Sequence, residues 1–352
     1  MSDTPPRAST QLGANPPTSD TDDTSTEQYT VSSFMFSSLD TDSTLTVMFC
    51  GLRMYIDIVA VNLQKSPSRL DEYIHFLKVA DACELDGLTV EDFYDWIFEG
   101  CSSTFAQVAR PALPTKLTLA DHLYPATRCY SLYADEHDRL GLVETADDPK
   151  KRVSPGTRAH EDSCHSWPSF TACQVSICAD DSVHALHNAR QKVRVADCES
   201  LLFFKPYEWS DKKTAKHEIE VYTQIRQASL SHLRTSKLFG LVRDESGLLL
   251  GLLLYYIDCD ATTLEYAIGP EISLSTRQYW AAEISETLTH LHEAGIIWGD
   301  AKAPNILVDA HNDPWIVDFG GSYTPGWVEK DLAGAIEGDM QGLSRIVDYI
   351  LE

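Results

Sequence analysis

Two polar motifs, each placed directly after an apolar stretch, constrain this 352-residue chain most strongly. The first, G-D-A-K-A-P-N at residues 299–305, follows the apolar stretch at 296–298. The second, D-F-G-G at residues 318–321, follows the apolar stretch at 315–317. Short runs rich in Ile and Val are typical of buried strands, so polar residues beside them are expected in loops at strand ends. The residues that carry chemistry in these motifs are Asp300, Lys302, Asn305 and Asp318.

The first motif resembles the catalytic loop of protein kinases, H-R-D-x-K-x-x-N, with Asp300, Lys302 and Asn305 at its Asp, Lys and Asn positions. Asp318 opens a match to the D-F-G motif of the same family. The chain is therefore similar to the protein kinase superfamily. The arrangement of its motifs also resembles divergent kinase-like proteins of filamentous fungi. This resemblance covers residues from about 163 to 352.

The resemblance implies a phosphotransfer site that uses ATP and Mg²⁺. Asp300 would accept or orient the proton of an acceptor hydroxyl, and Lys302 would neutralise charge on the transferred group. Asn305 and Asp318 would supply hard oxygen ligands to Mg²⁺. Phosphoryl transfer concentrates negative charge, so these residue types suit a site that works by fixed cations and a base. The implied enzyme is a protein kinase, of the Ser/Thr type because Lys302 comes two residues after Asp300.

Further residues are assigned from the same resemblance. Lys205 ends an apolar strand and would grip the nucleotide phosphates, paired with Glu218 on the following helix. Glu218 is preferred to Glu220 because apolar residues follow it at offsets of 3, 4 and 7. Asp339 resembles the aspartate that holds the kinase catalytic loop from below. The hinge that would bind adenine through its backbone is expected at residues 254–258.

The sequence also departs from the family in places, and these departures leave other functions open. No glycine occurs between Thr157 and Phe239, although a glycine-rich loop usually lets the backbone approach the phosphates. This absence favours a pseudokinase scaffold without catalysis as an alternative. Gly299 replaces the usual arginine of the catalytic loop, which resembles small-molecule phosphotransferases such as aminoglycoside and choline kinases. No A-P-E motif follows Asp318, so the segment that would seat a peptide is expected to be short.

The pattern along the chain predicts an α+β protein with a two-lobed, protein-kinase-like fold. Its small lobe is expected to be rich in β-strands, and its large lobe helical and truncated. We expect a disordered tail over residues 1–29, a mixed α/β domain of unknown role over 30–145, a linker over 146–166 and the kinase-like domain over 167–352.

Local signals predict individual elements. Residues 45–50 and 53–61 are expected to form a hairpin, and helices are expected after Pro67 and from Thr89 onward. A helix is expected over 214–227. Ser275 and Gln278 resemble a capping box that starts a long helix ending at Gly295.

Composition limits the partners and the compartment. The formal net charge of −25, from 28 basic and 53 acidic residues, argues against binding to nucleic acid or to an anionic membrane. Apolar runs are too short for a membrane span, and nothing at the N-terminus resembles a secretory signal. The expected partners are therefore ATP and a protein substrate, in the cytoplasm. A short basic patch at residues 149–153 leaves import into the nucleus as an alternative.

Overall fold

The computed structural model describes most of the chain, in the following ranges: 29–36, 41–109, 112, 114–146, 155–159, 161–179, 182–187, 191–196, 198–259, 262–321 and 323–352. The expected disordered tail lies outside these ranges up to residue 28, as do the basic patch at 149–153 and residues 147–154 of the expected linker. The chain divides into two compact units. The first unit comprises Met1–Arg152 and Ala179–Asn188, and the second comprises Val153–Cys178 and Ala189–Glu352.

In its described part, the first unit is a sheet with helices packed on it. The five strands lie in chain order: β1 (Tyr29–Phe36), β2 (Ser43–Phe49), β3 (Leu52–Ile58), β4 (Thr127–Ala134) and β5 (Leu140–Thr145). All neighbours are antiparallel except β3 and β4, which are parallel. A parallel pair needs a long crossover, and the helices supply it. They are α1 (Ala60–Leu63), α2 (Pro67–Ala82), α3 (Val90–Phe105) and α4 (Leu119–Leu123).

Local sequence explains much of this unit. Strands β2 and β3 form the expected hairpin, and its turn places Cys50 and Gly51 at positive φ, a conformation that glycine adopts without strain. The Ser66 side chain caps α2 by accepting a hydrogen bond from the Arg69 amide at 3.2 Å. Helix α3 begins at the expected position with a capping box, in which Asp92 accepts from the Thr89 amide at 2.7 Å.

The second unit opens with a sheet that carries the first predicted site residue. Its described strands lie in the order β6-β10-β11-β9-β8-β7. Their bounds are Ser169–Phe170 (β6), Val175–Ile177 (β7), Gln191–Val195 (β8), Leu202–Pro206 (β9), Leu238–Arg243 (β10) and Leu249–Tyr255 (β11). A short helix, α5 (Glu161–Cys164), precedes the sheet, and α7 (Lys212–Gln227) follows β9. Strand β9 lies inside the sheet between β8 and β11, and Lys205 pairs with Leu252 of β11.

The rest of the second unit is mainly helical. It contains α8 (Leu264–Ala267), α9 (Leu274–Glu293), the strand pair β12 (Ile306–Val308) and β13 (Pro314–Ile316), and α10 (Ile336–Leu351). The capping box expected at Ser275 and Gln278 is wrong, because α9 begins earlier and its cap is Ser273, which accepts from the Thr276 amide at 3.1 Å. The predicted stop at Gly295 is confirmed, with φ of 72°. None of the helices in the described ranges is both long and apolar enough to cross a lipid bilayer.

A helix, α6 (Ser182–His187), lies between β7 and β8, where the sequence lacks the glycines of a phosphate-binding loop. This segment belongs to the first unit, where α6 packs against β1, β2 and α4. Ala185 and Leu186 are buried, and the His122 ring nitrogen Nδ1 lies 3.0 Å from the Leu186 carbonyl oxygen. The connection between two strands of the second unit therefore takes part in the packing of the first.

Gly342 offers a test of how α10 supports the catalytic-loop segment. A Cβ atom added there would lie 2.5 Å from the Ala301 carbonyl oxygen, so alanine would push the helix away from the loop. We expect Gly342→Ala to destabilise the second unit by about 1–3 kcal/mol, the usual cost of overpacking. The measurement is urea unfolding followed by hydrogen exchange of peptides from this unit. Ser344→Ala is the control, because Ser344 is exposed on the same helix. Equal stability of the two variants would contradict the prediction.

Candidate active site

A buried ion pair joins the sheet to α7. The Lys205 ammonium nitrogen lies 2.8 Å from each carboxylate oxygen of Glu218 and 2.9 Å from Asp318 Oδ1. Glu218 is fully buried, whereas the side chains of Lys205 and Asp318 remain 17% and 38% exposed. Burial lowers the pKa of Lys205, but the charges of Glu218 and Asp318 outweigh it, so its pKa lies above the ordinary 10.5. Lys205 is therefore a cation at every physiological pH.

Tyrosine hydroxyls complete the surroundings of Glu218. The Tyr207 hydroxyl donates to Glu218 Oε2 at 2.6 Å, and the Tyr222 hydroxyl lies 3.4 Å from Oε1. Burial, and next the charge of Glu218, raises the pKa of each tyrosine well above the usual 10.0. Both hydroxyls thus keep their protons and can donate to the carboxylate. A buried carboxylate is costly unless it is paired and hydrogen-bonded, and these donors meet that requirement.

The outer side of α7 is held by the segment before the sheet. The Arg226 guanidinium lies 3.8 Å from the centre of the Trp167 ring and donates to the Ser166 carbonyl at 3.1 Å. The Trp167 indole N–H donates to the Thr223 hydroxyl at 3.0 Å. Helix α7 is therefore fixed on its outer face as well as at Glu218.

The catalytic-loop residues form a compact cluster. The Lys302 ammonium lies 2.7 Å from Asp300 Oδ2. The Asn305 amide nitrogen donates to the Asp300 carbonyl and to Oδ2, at 3.0 Å each. The Thr324 hydroxyl donates to Asp300 Oδ1 at 3.1 Å and accepts from Lys302 at 2.9 Å. Thr324 thus bridges the carboxylate and the ammonium, and an aliphatic hydroxyl fits between them.

A second buried carboxylate holds the loop from below. Asp339, near the start of α10, accepts from the backbone amides of Trp298 at 2.7 Å and Gly299 at 2.8 Å. Its Oδ2 also lies 2.9 Å from His292 Nε2. Gly299 has φ of 87°, and a Cβ there would lie 3.2 Å from the Gly321 Cα, so glycine is suited to this position. Asp339 therefore has a place consistent with the structural role expected for it.

The Trp298 side chain links the two motifs. Its indole N–H donates to the Val317 carbonyl at 2.9 Å, directly before Asp318. The Phe319 ring is buried and packs edge-on against Tyr222 of α7, with ring centres 5.6 Å apart. These contacts position Asp318, which has φ of 62° and accepts from the Gly320 amide at 3.2 Å.

The residues present fit a magnesium site. Asp318 is partly exposed and supplies carboxylate oxygens, which Mg²⁺ prefers as ligands. Asn305 uses its amide nitrogen within the loop, so its oxygen is the end that a metal ion would take. Asn305 and Asp318 would together hold the ion.

Comparison with known proteins places this site in a family. Residues 202–325 match the model of the protein kinase domain. This region begins with β9 and contains Lys205, Glu218, the catalytic loop, Asp318 and Thr324. The region belongs to the protein kinase superfamily. The family resemblance seen in the sequence is thus confirmed, and the mixed α/β structure of the second unit agrees with a kinase domain.

The curated relatives are protein kinases at low identity. Aurora kinase C of Mus musculus is 26% identical over 138 residues, covering 36% of this chain and 45% of that protein. An Aurora kinase of Saccharomyces cerevisiae is 30% identical over 128 residues, covering 36% of this chain and 33% of that protein. Serine/threonine-protein kinase PKH2 of S. cerevisiae is 34% identical over 103 residues, covering 28% of this chain and 9% of that protein. The chain spans less than half the length of each of these relatives.

The structure brings the predicted site residues into two groups. Lys205, Glu218 and Asp318 form one, and Asp300, Lys302 and Asn305 form the other. Glu218 rather than Glu220 lies against Lys205, since Glu220 is partly exposed and lies 3.8 Å from Lys216. Their roles in a reaction remain predictions.

Sequence reasoning missed two residues of these groups, Tyr207 and Thr324. Tyr207 follows Lys205 by two positions, and only its burial reveals its bond to Glu218. Thr324 lies in a Thr-Pro pair shortly after the D-F-G motif, and this pair is the signal that could have found it.

Lys205 provides a stability test of this site. Lys205→Met leaves the buried Glu218 carboxylate without its cation, and we expect a loss of about 3–5 kcal/mol in the free energy of unfolding. Because the pKa of Lys205 is raised in the folded state, its stabilisation is complete below the unfolded pKa and is lost as pH rises through the folded pKa. The difference between wild type and variant should therefore stay constant from about pH 7 to 9 and shrink only at pH values above the ordinary lysine pKa.

Urea unfolding at several pH values measures this difference. Lys216→Met is the matched control, because Lys216 is half exposed and its pair with Glu220 contributes at most about 1 kcal/mol. Equal losses in the two variants, or a difference that already shrinks below pH 9, would show that Lys205 does not stabilise the unit in this way.

Proposed function

We propose that this protein is an ATP- and Mg²⁺-dependent protein kinase that transfers the γ-phosphate to a Ser or Thr hydroxyl. The observation that carries the proposal is the Asp300, Lys302 and Thr324 cluster. There an aliphatic hydroxyl already lies at 3.1 Å from the carboxylate and 2.9 Å from the ammonium. A substrate hydroxyl of the same size would meet the same base and the same cation.

Each residue has a definite task in this proposal. The acceptor oxygen bonds to the γ-phosphorus while the bond to the β,γ-bridging oxygen breaks, and ADP leaves. Asp300 takes the proton from the acceptor hydroxyl, and Lys302 neutralises charge on the transferred phosphoryl group. Lys205 binds the phosphates from the sheet side, oriented by Glu218. Asn305 and Asp318 would hold Mg²⁺, which would supply positive charge at the phosphate oxygens.

A protein acceptor is supported by the names of the relatives, which are protein kinases and include a serine/threonine-protein kinase. The acidic chain would favour a neutral or basic substrate protein, because like charges repel. Gly299 alone favours a small-molecule acceptor, as in aminoglycoside and choline kinases.

A second candidate is a pseudokinase scaffold. The observation that favours it is the glycine-free connection between β7 and β8, which carries α6 and belongs to the first unit. Without glycines, the backbone there is less able to approach phosphates closely. A scaffold of this kind would keep the ion pairs of the site for stability and would not transfer phosphate.

Phosphate transfer is the direct test. Purified protein with radiolabelled ATP and Mg²⁺ should label itself or a basic substrate protein, and acid hydrolysis should release phosphoserine or phosphothreonine. Asp300→Asn should reduce the rate by about 10²–10⁴-fold, the usual contribution of a general base. Asp331→Asn is the control, because Asp331 is exposed and outside the site. Labelling that is unchanged in Asp300→Asn would refute the proposal.

Thermal-shift titration separates the two candidates. A kinase should be stabilised by millimolar Mg²⁺-ATP, since a ligand that binds the folded state raises its stability. No shift in wild type, together with no labelling, would favour the scaffold.

Thr324 tests the acceptor arrangement. Thr324→Val keeps the size of the side chain but removes the hydroxyl that joins Asp300 to Lys302. We expect a fall in kcat of about tenfold or more, the scale for losing hydrogen bonds to charged groups, with little change in the KM for ATP. Thr324→Ser retains the hydroxyl and should restore most of the rate. If serine and valine behaved alike, the hydroxyl would have no part in the reaction.

A further inference from the structure

We propose that Tyr207 is a positioning residue. Its hydrogen bond to Glu218 ties that residue, and with it helix α7, to the sheet of the second unit independently of Lys205. This inference rests on the proposed function, because it concerns how the nucleotide-binding lysine is kept oriented. In protein kinases the lysine–glutamate pair must be in place for transfer, and movement of the glutamate helix controls it. A second tie, a hydrogen bond from Tyr207 to the glutamate, would keep that pair assembled in this chain before nucleotide binds.

The geometry of the Tyr207 bond supports such a tie. The hydroxyl lies 2.6 Å from Glu218 Oε2, and both side chains are buried. A neutral donor facing a buried carboxylate forms a charge-assisted bond, which is among the stronger hydrogen bonds in proteins. The hydroxyl keeps its proton because burial and the charge of Glu218 raise the pKa of Tyr207.

The backbone of Tyr207 is fixed to its neighbours. Its amide donates to the Leu250 carbonyl at 2.9 Å, and its carbonyl accepts from the Gly156 amide at 2.8 Å. Tyr207 directly follows β9, so its hydroxyl extends from the sheet to the helix. Tyr222, in contrast, lies four residues after Glu218 on the same helix, and its contact with Glu218 cannot join α7 to the sheet.

The ammonium of Lys205 shows why a second tie matters. An ammonium has three N–H donors, and Lys205 directs its contacts to both oxygens of Glu218 and to Asp318. When phosphates take a share of these donors, Glu218 loses part of its pairing while it stays out of water. The Tyr207 hydroxyl still donates to it at that moment. Glu218 therefore keeps a hydrogen-bond donor throughout nucleotide binding, and α7 stays in place beside the sheet.

Hydrogen exchange of the full chain without nucleotide tests the tie. Tyr207→Phe removes only the hydroxyl, and we expect amides of residues 212–227 to exchange on the order of tenfold faster or more. Amides of α9 should keep their rates, which also reports that the unit is folded. Tyr349→Phe is the control, because it removes an exposed tyrosine hydrogen bond to the Glu265 carbonyl, far along the chain from α7. Its α7 amides should exchange as in wild type.

A double-mutant cycle shows whether Tyr207 acts through Glu218. In a Glu218→Ala background the hydroxyl has no carboxylate to hold, so Tyr207→Phe should cause little further acceleration. In a transfer assay, Tyr207→Phe should raise the KM for Mg²⁺-ATP more than it lowers kcat.

The outcomes separate this inference from the proposed function. Unchanged exchange in Tyr207→Phe, equal acceleration with and without Glu218, or acceleration that extends to α9 would each overturn the positioning role. A wild-type protein that neither binds Mg²⁺-ATP nor transfers phosphate would refute the proposed function, whereas the nucleotide-free exchange result would still decide the role of Tyr207.

Discussion

The second unit depends on a carboxylate that water does not reach. Glu218 is fully buried, and removing such a charge from water costs several kcal/mol unless donors replace the solvent. Lys205 approaches it from β9, Tyr207 from the end of that strand, and Tyr222 from α7 itself. The helix, the sheet and the D-F-G segment are thus brought together by one electrostatic requirement. Phe319 packing against Tyr222 adds an apolar contact to the same point.

The catalytic loop is built on the same physical principle. Asp339 is buried and takes its donors from the backbone of the loop, so the loop conformation and the pairing of that charge are satisfied together. Above it, Asp300, Lys302 and Thr324 bond to one another, with Asn305 closing the loop. Two buried carboxylates therefore fix the two groups of site residues. The Trp298 indole joins the groups by donating a hydrogen bond to the Val317 carbonyl.

The connection between β7 and β8 lacks the glycines of the loop that covers the phosphates in protein kinases. Its helix α6 contributes buried Ala185 and Leu186 to the first unit. The first unit is therefore completed by a segment from the middle of the kinase-like sequence, and the matched region of the family begins only after this connection, at residue 202. The two units are consequently not independent stretches of chain, although each has its own core.

Local patterns in the sequence were sufficient for several of the elements and for the four motif residues of the site. The capping box of Thr89, the turn at Gly51 and the stop at Gly295 depend on neighbouring residues, so short stretches specify them. The two motifs located Asp300, Lys302, Asn305 and Asp318, because their spacing along the chain is itself the signal.

Contacts between residues far apart in the sequence could not be predicted from local patterns. The parallel pairing of β3 with β4 and the place of α6 depend on packing between segments far apart in sequence. Nothing near Tyr207 or Thr324 in the sequence shows that their hydroxyls face Glu218 and Asp300. The cap of α9 is Ser273 rather than the predicted Ser275. Neighbouring hydroxyls offer equivalent local caps, and the surrounding structure selects one of them. The sequence by itself determined which polar residues the site carries. The tertiary structure decided which residues hold them in place, because a buried polar group needs hydrogen-bond or ion-pair partners, and folding brings these from distant parts of the chain.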